Sequence, residues 1–450
     1  MVNIEIEIWN ATPEVVQHAI VRIAEELSAT CQVLASEREI QTRLSQQIEV
    51  LKKQNQQVIN LTKTLQEVIK KNQSPKQEKN KQVVLVSDYP PPRLAKIAYG
   101  LTQAGWEVIL LYKDKLEYDI SFFSAIYQYT TAEEAVLLAS LFSPVTYHVF
   151  SSWNYDTAIR LIDAKIGKIT FDNYDQFGGM MLSKWEQIEH YQNLTKEEKY
   201  CIENADAICN RALSLQVAKR QLNYKLTKPR IFFPDYCWDK SFTLKPKLTD
   251  GIHVVFPGNF STEQFHASPS LSIFDKEFIE SLSARKIHYH IYPSLVTNNE
   301  VEFQERYKDF IELSNTNKFF HFHHYIPPEE LISEISQYHV GITSRSKISC
   351  ERGDTFNNPS AMKYFCSNKA FDFLDAGLDV IFGGSQLMEW LLKRSAGCHG
   401  ALSEDIGPIL EQKTVDDYKS EGFEKQISDG RKKLSISRHI PRLISFYESI

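Results

Sequence analysis

Cysteine is sparse and without pattern: seven residues, at 31, 201, 209, 237, 350, 366 and 398, with no CxxC pair. An odd, scattered set argues against a disulfide framework, and the lack of a Cys/His cluster argues against a zinc module. An excess of one charge is missing too. Lys and Arg number 51 against 57 Asp and Glu, a net charge of −6, so nothing global points to nucleic acid. Apolar runs are short: "AVLLASLF" (135–142) is among the longest, well under the ~18 residues of a membrane span. The opening "MVNIEIEIWN" has no basic stretch leading into an apolar one, so no secretory signal is read. These absences predict a cytoplasmic protein.

Glycine is absent from residues 13 to 72, and proline there is confined to Pro13. Ile20, Ile23, Leu27, Leu34, Leu44, Ile48, Leu51, Val58, Leu65 and Ile69 follow heptad spacing across that stretch. Gln41, Asn55 and Glu37 interrupt the seam; a polar core residue such as Asn55 fixes register at some cost in stability. The pattern predicts a coiled-coil arm over 1–75, its heptad stretch 13–72 about 90 Å long if helical throughout, and hence a homo-oligomer. One amphipathic helix lying along the globular body is the alternative. Residues 76–82 are polar and read as a linker.

From residue 83 the grammar changes. "QVVLVSD", the helical "PRLAKIAYGLTQAG" and "WEVILLYK" spell strand, helix, Gly stop and strand, a βαβ unit of a parallel sheet. Alternation continues through "AIYQYTT", "VTYHVFS", "GKITFDN", "ADAICN" and "PRIFFPD", with helices over 131–142, 155–164 and 212–221. It restarts after residue 240 with "GIHVVFPGN", "KIHYHIYPS", "KFFHFHHYI", "HVGITS" and "LDVIFGG". Helices are expected near 270–283 and 299–314, in "PPEELISEISQY", and over 408–449. This predicts an α/β protein of two Rossmann-like domains, 83–240 and 241–435, facing a cleft, with 436–450 packing back across both. Sites in such folds lie beyond the carboxyl ends of the strands.

Several chemistries fail on missing motifs. The first crossover, "SDYPPPRLAK", has three prolines and no Gly, so it is not the GxGxxG turn of a dinucleotide oxidoreductase. The P-loop, the GxSxG elbow and HExxH are absent as well. "DNYD" is not a DxD metal motif. Strand alternation puts His288 and His290 on one face, but His321 and His323 belong to another strand, so no metal is expected.

The order of motifs resembles the GT-B glycosyltransferases, in particular the family 4-like retaining enzymes. "YPPPRLAKIAYGLTQAGWEVILLY" is similar to their opening crossover, and "KITFDNYDQ" to their strand ending in spaced aspartates. "HVVFPGN" resembles the first strand of their nucleotide domain; "FFHFHHYIPPEELISEISQYHVGITS" is similar to their following strand, helix and strand. "NKAFDFLDAGLDVIFGG" matches their Lys-x-x-Glu helix, Gly and strand most closely. The resemblance spans about residues 83 to 450 and omits the arm.

It implies glycosyl transfer from a nucleotide-diphosphate sugar to a saccharide or lipid-linked acceptor, retaining and independent of any cofactor or metal. In the family a Glu at the position of Asp372 accepts from the ribose hydroxyls; Asp is one methylene shorter. A carboxylate suits a diol because it accepts from both O–H groups. Lys369 would partly neutralise the diphosphate, which Gly258 and Asn259 would approach through the backbone. A solvated helix face is the bland alternative for Lys369 and Asp372. The family's Arg and Lys after the first strand of the second domain have no counterpart in "GNFSTEQFH"; Arg345, Lys347 and Arg352 are the nearest replacements. His148, Asp172 and Asp175 are the expected catalytic-site residues, and Arg93 the expected acceptor contact. "GGMMLSKWEQIEHYQN" (178–193) suggests a lipid-linked acceptor or a peripheral contact with the inner membrane face, core packing being the plainer use. Two other readings stay open: a catalytically degenerate scaffold or carbohydrate-binding subunit, and a sugar-nucleotide epimerase or hydrolase.

Overall fold

The computed structural model describes residues 81–116, 118–174, 189–213, 215–221, 223–260, 262–266, 273–294, 299–343, 363–382, 385–396 and 406–450, with Glu49 and Lys52. Apart from those two residues, the expected coiled-coil arm lies outside the described residues.

Two parallel sheets organise the rest. The first holds β1 (Gln82–Ser87), β2 (Glu107–Tyr112), β3 (Ala125–Gln128), β4 (Thr146–Ser151), β5 (Ile169–Asn173), β6 (Ala207–Asn210) and β7 (Arg230–Phe232), in the order β3-β2-β1-β4-β5-β6-β7. The second holds β8 (His253–Gly258), β9 (His288–Pro293), β10 (Phe320–Phe322), β11 (Val340–Ile342) and β12 (Asp379–Ile381), ordered β10-β9-β8-β11-β12. Every described pairing within the two sheets is parallel. Strand order reverses between β1 and β4 and again between β8 and β11, and ligand crevices open at such switch points. Among the described residues no helix is long and apolar enough to cross a membrane.

Central strands are covered on both faces, which is why "VVLVS" reads as an unbroken apolar run. One face of the first sheet carries Val84, Val86, Val149 and Phe171; the other carries Val83, Leu85, Phe150 and Cys209. The second face is roofed by α1 (Pro92–Gln103) and by a helix from the far end of the chain. Numbering the helices used below in chain order, α2 is Glu189–Asn204, α3 Lys369–Asp375, α4 Glu421–Lys433 and α5 Ile436–Glu448. Ile436, Ile440, Leu443 and Tyr447 of α5 bury against Leu94, Ile97 and Leu101 of α1. Each such side chain contributes roughly 1.5–3 kcal/mol of burial. Gly100 permits the approach: a Cβ there would stand 2.8 Å from Ile436 Cγ1.

The chain crosses between the sheets twice, and the crossings are bonded together. Cys237 N donates to Leu434 O and Ile436 N to Cys237 O, each at 2.9 Å. Asp239 accepts from Ser437 N at 2.8 Å.

Two local readings are corrected. The helix expected over 299–314 is two helices, Glu300–Arg306 and Lys308–Thr316, parted at the buried Tyr307. The helices expected over 408–449 are present, α4 and α5 opening at the extended Ser420 and Ser435. Helix α2 was not anticipated, because only Leu194, Glu198, Cys201 and Ile202 of its polar sequence are buried. Glu198 is held there by the hydroxyls of Tyr155 at 3.1 Å and Tyr224 at 2.9 Å.

Candidate functional site

The carboxyl ends of β1, β4 and β5 surround a small depression of about 20 Å³, enough for a water molecule. Its wall is rich in hydroxyls and amides: Ser87, Asp88, Ser151, Ser152, Asn154 and Tyr174 line it, with Tyr89 at the rim. Asp88 is fixed by the hydroxyls of Tyr129 at 2.7 Å and Thr157 at 2.8 Å. Tyr89 and Trp153 stand exposed beside it, at 66% and 48%. Trp153 has φ of +64°, a conformation that a bulky side chain adopts only under constraint.

The second domain presents Gly258, Asn259, Lys369 and Asp372. Gly258 ends β8 with φ of +153°, and Asn259 after it is exposed. A Cβ on Gly258 would lie 2.2 Å from Lys369 Cε and 2.9 Å from its Nζ, so the lysine crosses directly over this glycine. Lys369 also lies over the Phe256 ring, at 5.4 Å from its centroid. Asp372 sits one turn further along α3 and faces the other domain. There Lys96 Nζ of α1 donates to Asp372 Oδ1 at 2.8 Å and lies 4.0 Å from Asp375 Oδ2. Burial works against the Lys96 charge, but the two aspartates outweigh it and hold the ammonium protonated.

Asp375 is the more deeply placed of the two. It accepts from Arg431 Nε of α4 at 2.7 Å and from Trp238 N at 3.0 Å. Its burial still outweighs Lys96 and Arg431, and its carboxyl is pushed up to about 6. One further contact crosses the joint and a second braces it from within the first domain. Asn368 Nδ2 donates to the Tyr174 hydroxyl at 3.1 Å, and Arg211 stacks over the Tyr174 ring at 4.2 Å.

Behind the depression lies a buried charge network. Arg93 Nε donates to Asp172 Oδ2 at 2.9 Å, and His148 Nε2 meets the same oxygen at 3.1 Å. His148 Nδ1 bonds the Tyr447 hydroxyl of α5. Burial opposes the Asp172 charge, but Arg93 and His148 together hold its carboxyl below the usual range. His148 moves down in turn, its desolvation winning over the pull of Asp172. Asp235 lies between Arg93 and Arg211 at 3.7 Å from each, and neither of its oxygens is hydrogen-bonded. Asp172 Oδ1, Arg93 Nη1 and both polar atoms of the Asn173 side chain likewise make no hydrogen bond, which marks a polar interior able to hold water.

The sequence-derived candidates therefore separate into three sets. Gly258, Asn259, Lys369 and Asp372 come together at the second domain's strand ends. Arg93, His148 and Asp172 also come together, but in the interior: their exposures are 1%, 0% and 0%. Helix α1, which carries Arg93, and Tyr447 of α5 cover that face of the sheet. Asp175, Arg345, Lys347 and Arg352 lie outside the described residues, as does most of 178–193. Sequence reasoning missed Lys96, Asp375, Tyr89 and Trp153. "PPPRLAK" gave the first as an ordinary amphipathic position, and "SSWNYD" showed only that an aromatic follows a strand end.

Solved structures share this architecture. Sucrose-phosphate synthase (tll1590) from Thermosynechococcus elongatus matches with a TM-score of 0.55 and 12% identity, over 82% of this chain and 99% of that one. HepE of Anabaena, in complex with UDP and glucose, gives 0.52 and 8% over 82% and 100%. A UDP-forming α,α-trehalose-phosphate synthase from Burkholderia xenovorans, in complex with glucose-6-phosphate, gives 0.50 and 9% over 82% and 100%. At these identities the likeness establishes the fold: the chain has the two-domain GT-B architecture. No family model and no curated protein sequence matches it.

Proposed function

We propose that the protein is a glycosyltransferase that moves a sugar from a nucleotide-diphosphate donor to an acceptor hydroxyl in the gap between its two domains. The observation that carries this reading is the placement of Lys369 across Gly258, with Asp372 one turn along the same helix and turned towards the first domain. In this reading the diphosphate lies against the Gly258–Asn259 backbone under Lys369, and the ribose diol bonds Asp372. Lys96 has Asp375 as a second acceptor, so Asp372 can exchange its ion pair for ribose hydroxyls without leaving the ammonium unpaired. A carboxylate accepting from two hydroxyls makes charge-assisted bonds, each stronger than a neutral one.

The reaction breaks the bond from the anomeric carbon to a diphosphate oxygen and forms one to the acceptor oxygen. Preorganised positive potential on the leaving diphosphate lowers the barrier. Lys369 and the backbone N–H groups of the Gly258 loop supply it here, and this is the basis for reading the transfer as metal-independent. Retention at the anomeric carbon follows from the resemblance to the family 4-like enzymes. The depression lined by Ser87, Ser151, Ser152 and Asn154, flanked by Tyr89 and Trp153, is the proposed acceptor site and favours a saccharide. UDP sugars are the first donors to try, since the HepE structure holds UDP with glucose.

A degenerate scaffold of the same shape is the second reading. The loop 259–266 contains no Lys or Arg, which favours it. Thermal unfolding with UDP, GDP, ADP and CDP separates the two readings. A nucleotide at about 100 times its dissociation constant adds ~2.7 kcal/mol. A shift with one nucleotide, followed by sugar transfer from its sugar conjugate, supports the enzyme. No shift with any of the four supports the scaffold.

A further inference from the structure

The amino ends of the second sheet carry a cluster that glycosyl transfer does not use. His253 opens β8, His288 and His290 lie on β9, and His321 lies on β10 opposite His290, with His323 two residues on. The two histidine-bearing segments are thus neighbours, and their rings form one ladder. His323 Nε2 meets His290 Nδ1 at 3.0 Å, His290 Nε2 meets His253 Nδ1 at 2.8 Å, and His253 Nε2 meets Asp250 Oδ1 at 2.9 Å. In a second row, His321 Nε2 meets His288 Nδ1 at 3.0 Å, and His288 bonds the Asp250 backbone. A neutral imidazole has one N–H, and a carboxylate only accepts. The first row is therefore satisfied only if every ring donates from Nε2, with the last donating to Asp250.

Both rows converge on Asp250. Its carboxylate and the ring nitrogens of His253 and His288 lie within 4.8 Å of one another. The Asp250 side chain is 69% exposed, which gives an ion access and the carboxylate freedom to move. We infer that Asp250, His253 and His288 form a binding site for a zinc-class divalent transition metal. Two imidazoles and one carboxylate are a zinc ligand set, and tetrahedral bonds of ~2.0 Å require ligand atoms about 3.3 Å apart, a short contraction. Ligating histidines donate their other nitrogen to a fixed acceptor. The ladder provides that acceptor: with the ion on His253 Nε2, the proton of His253 sits on Nδ1 and faces His290 Nε2. His290 and His323 shift their protons in the same sense, each ring stays neutral, and no proton is released. The site is at the opposite end of β8 from Gly258, about 17 Å away at ~3.3 Å per residue. It pins the connection between the two domains, of which Asp250 is part, to β8 and β9.

The test uses the untagged full chain, freed of metal by a chelator and labelled with ¹⁵N in its histidine rings. It is titrated with Zn(II) by calorimetry, with Mg(II) as the hard-cation control. The expected result is one Zn(II) per chain and no Mg(II) binding. The His290 and His323 rings should pass from the Nε2–H to the Nδ1–H tautomer in the nitrogen spectrum. Asp250→Asn and His288→Gln should each weaken Zn(II) at least about tenfold. Asp250→Asn changes an exposed side chain, so its folding is not in question. No stoichiometric Zn(II) binding would overturn the site. So would an affinity unchanged in both variants, because the ion would then be bound elsewhere.

Discussion

Lys96 of α1 reaches across the joint between the domains to Asp372 of α3 at 2.8 Å, with Asp375 of the same helix at 4.0 Å. One buried ammonium is thereby shared between a carboxylate that faces the gap and one that lies behind it. Asp372 keeps 16% of its side-chain surface open, while Asp375 keeps none. The pair thus divides its work. Asp375 anchors the joint, and Asp372 is the member free to take another partner.

A double-mutant cycle of Lys96→Met and Asp372→Asn, read by urea unfolding, should give a coupling of about 1–3 kcal/mol. Asp372→Asn should also weaken the donor nucleotide by roughly 10–100-fold, the loss of bonds to a charged acceptor. Calorimetry with the nucleotide identified by thermal shift checks this.

Asp375 gives a pH dependence with a definite sign. Its folded carboxyl is held near 6, above the ordinary value of 3.8. The folded state therefore binds this proton more tightly than the unfolded state between those values. Its stabilising contribution is full below pH 3.8 and is lost as pH rises through 6, by roughly 3 kcal/mol. Asp375→Asn should remove that component, so the difference in unfolding free energy between variant and wild type should change across pH 4–6.5 and be flat above pH 7. Above pH 7 the neutral amide, like the protonated carboxyl, avoids the burial cost of the charge, so the variant should gain up to roughly 3 kcal/mol on wild type relative to their difference below pH 4.

Trp153 tests the acceptor side. Trp153→Ala removes an exposed ring and leaves the positive-φ backbone as it was, so stability should change little. The acceptor KM should increase about tenfold, with the donor KM unchanged, as initial rates in each substrate will show. A stacked ring is worth roughly 0.5–1.5 kcal/mol.

Gly258→Ala tests the donor side without touching a charge. Its Cβ would meet Lys369 Cε at 2.2 Å, in a backbone conformation that L side chains rarely adopt. The lysine has to move, and donor affinity should fall by at least tenfold while acceptor affinity stays the same. Calorimetry with donor and acceptor separately reads both.

Most of the fold was legible because parallel strands buried on both faces write themselves as apolar runs. "VVLVS", "VILLY" and "HVVFPG" fall within strands the structure contains. Helix α2 was hidden, since a helix that buries only four of its 16 residues leaves little periodic signal. The joint was hidden for another reason. Lys96 and Asp372 are 276 residues apart, and nothing in either segment announces the other. His148 falls in the middle of β4 and Asp172 next to the end of β5, and strand alternation gives a side chain's face without saying what covers it. Here α5, from the end of the chain, does. The ladder of histidines was read as two unrelated pairs because the adjacency of β9 and β10 is a property of sheet order, which sequence spacing does not carry.

The most direct measurement is a structure of the full chain with a nucleoside-diphosphate sugar. The expected electron density has the diphosphate against Gly258 beneath Lys369, the ribose hydroxyls on Asp372, and Lys96 turned towards Asp375. A nucleotide bound away from these residues, or a Lys96–Asp372 pair left intact with the donor elsewhere, would contradict the proposed glycosyl transfer at this site.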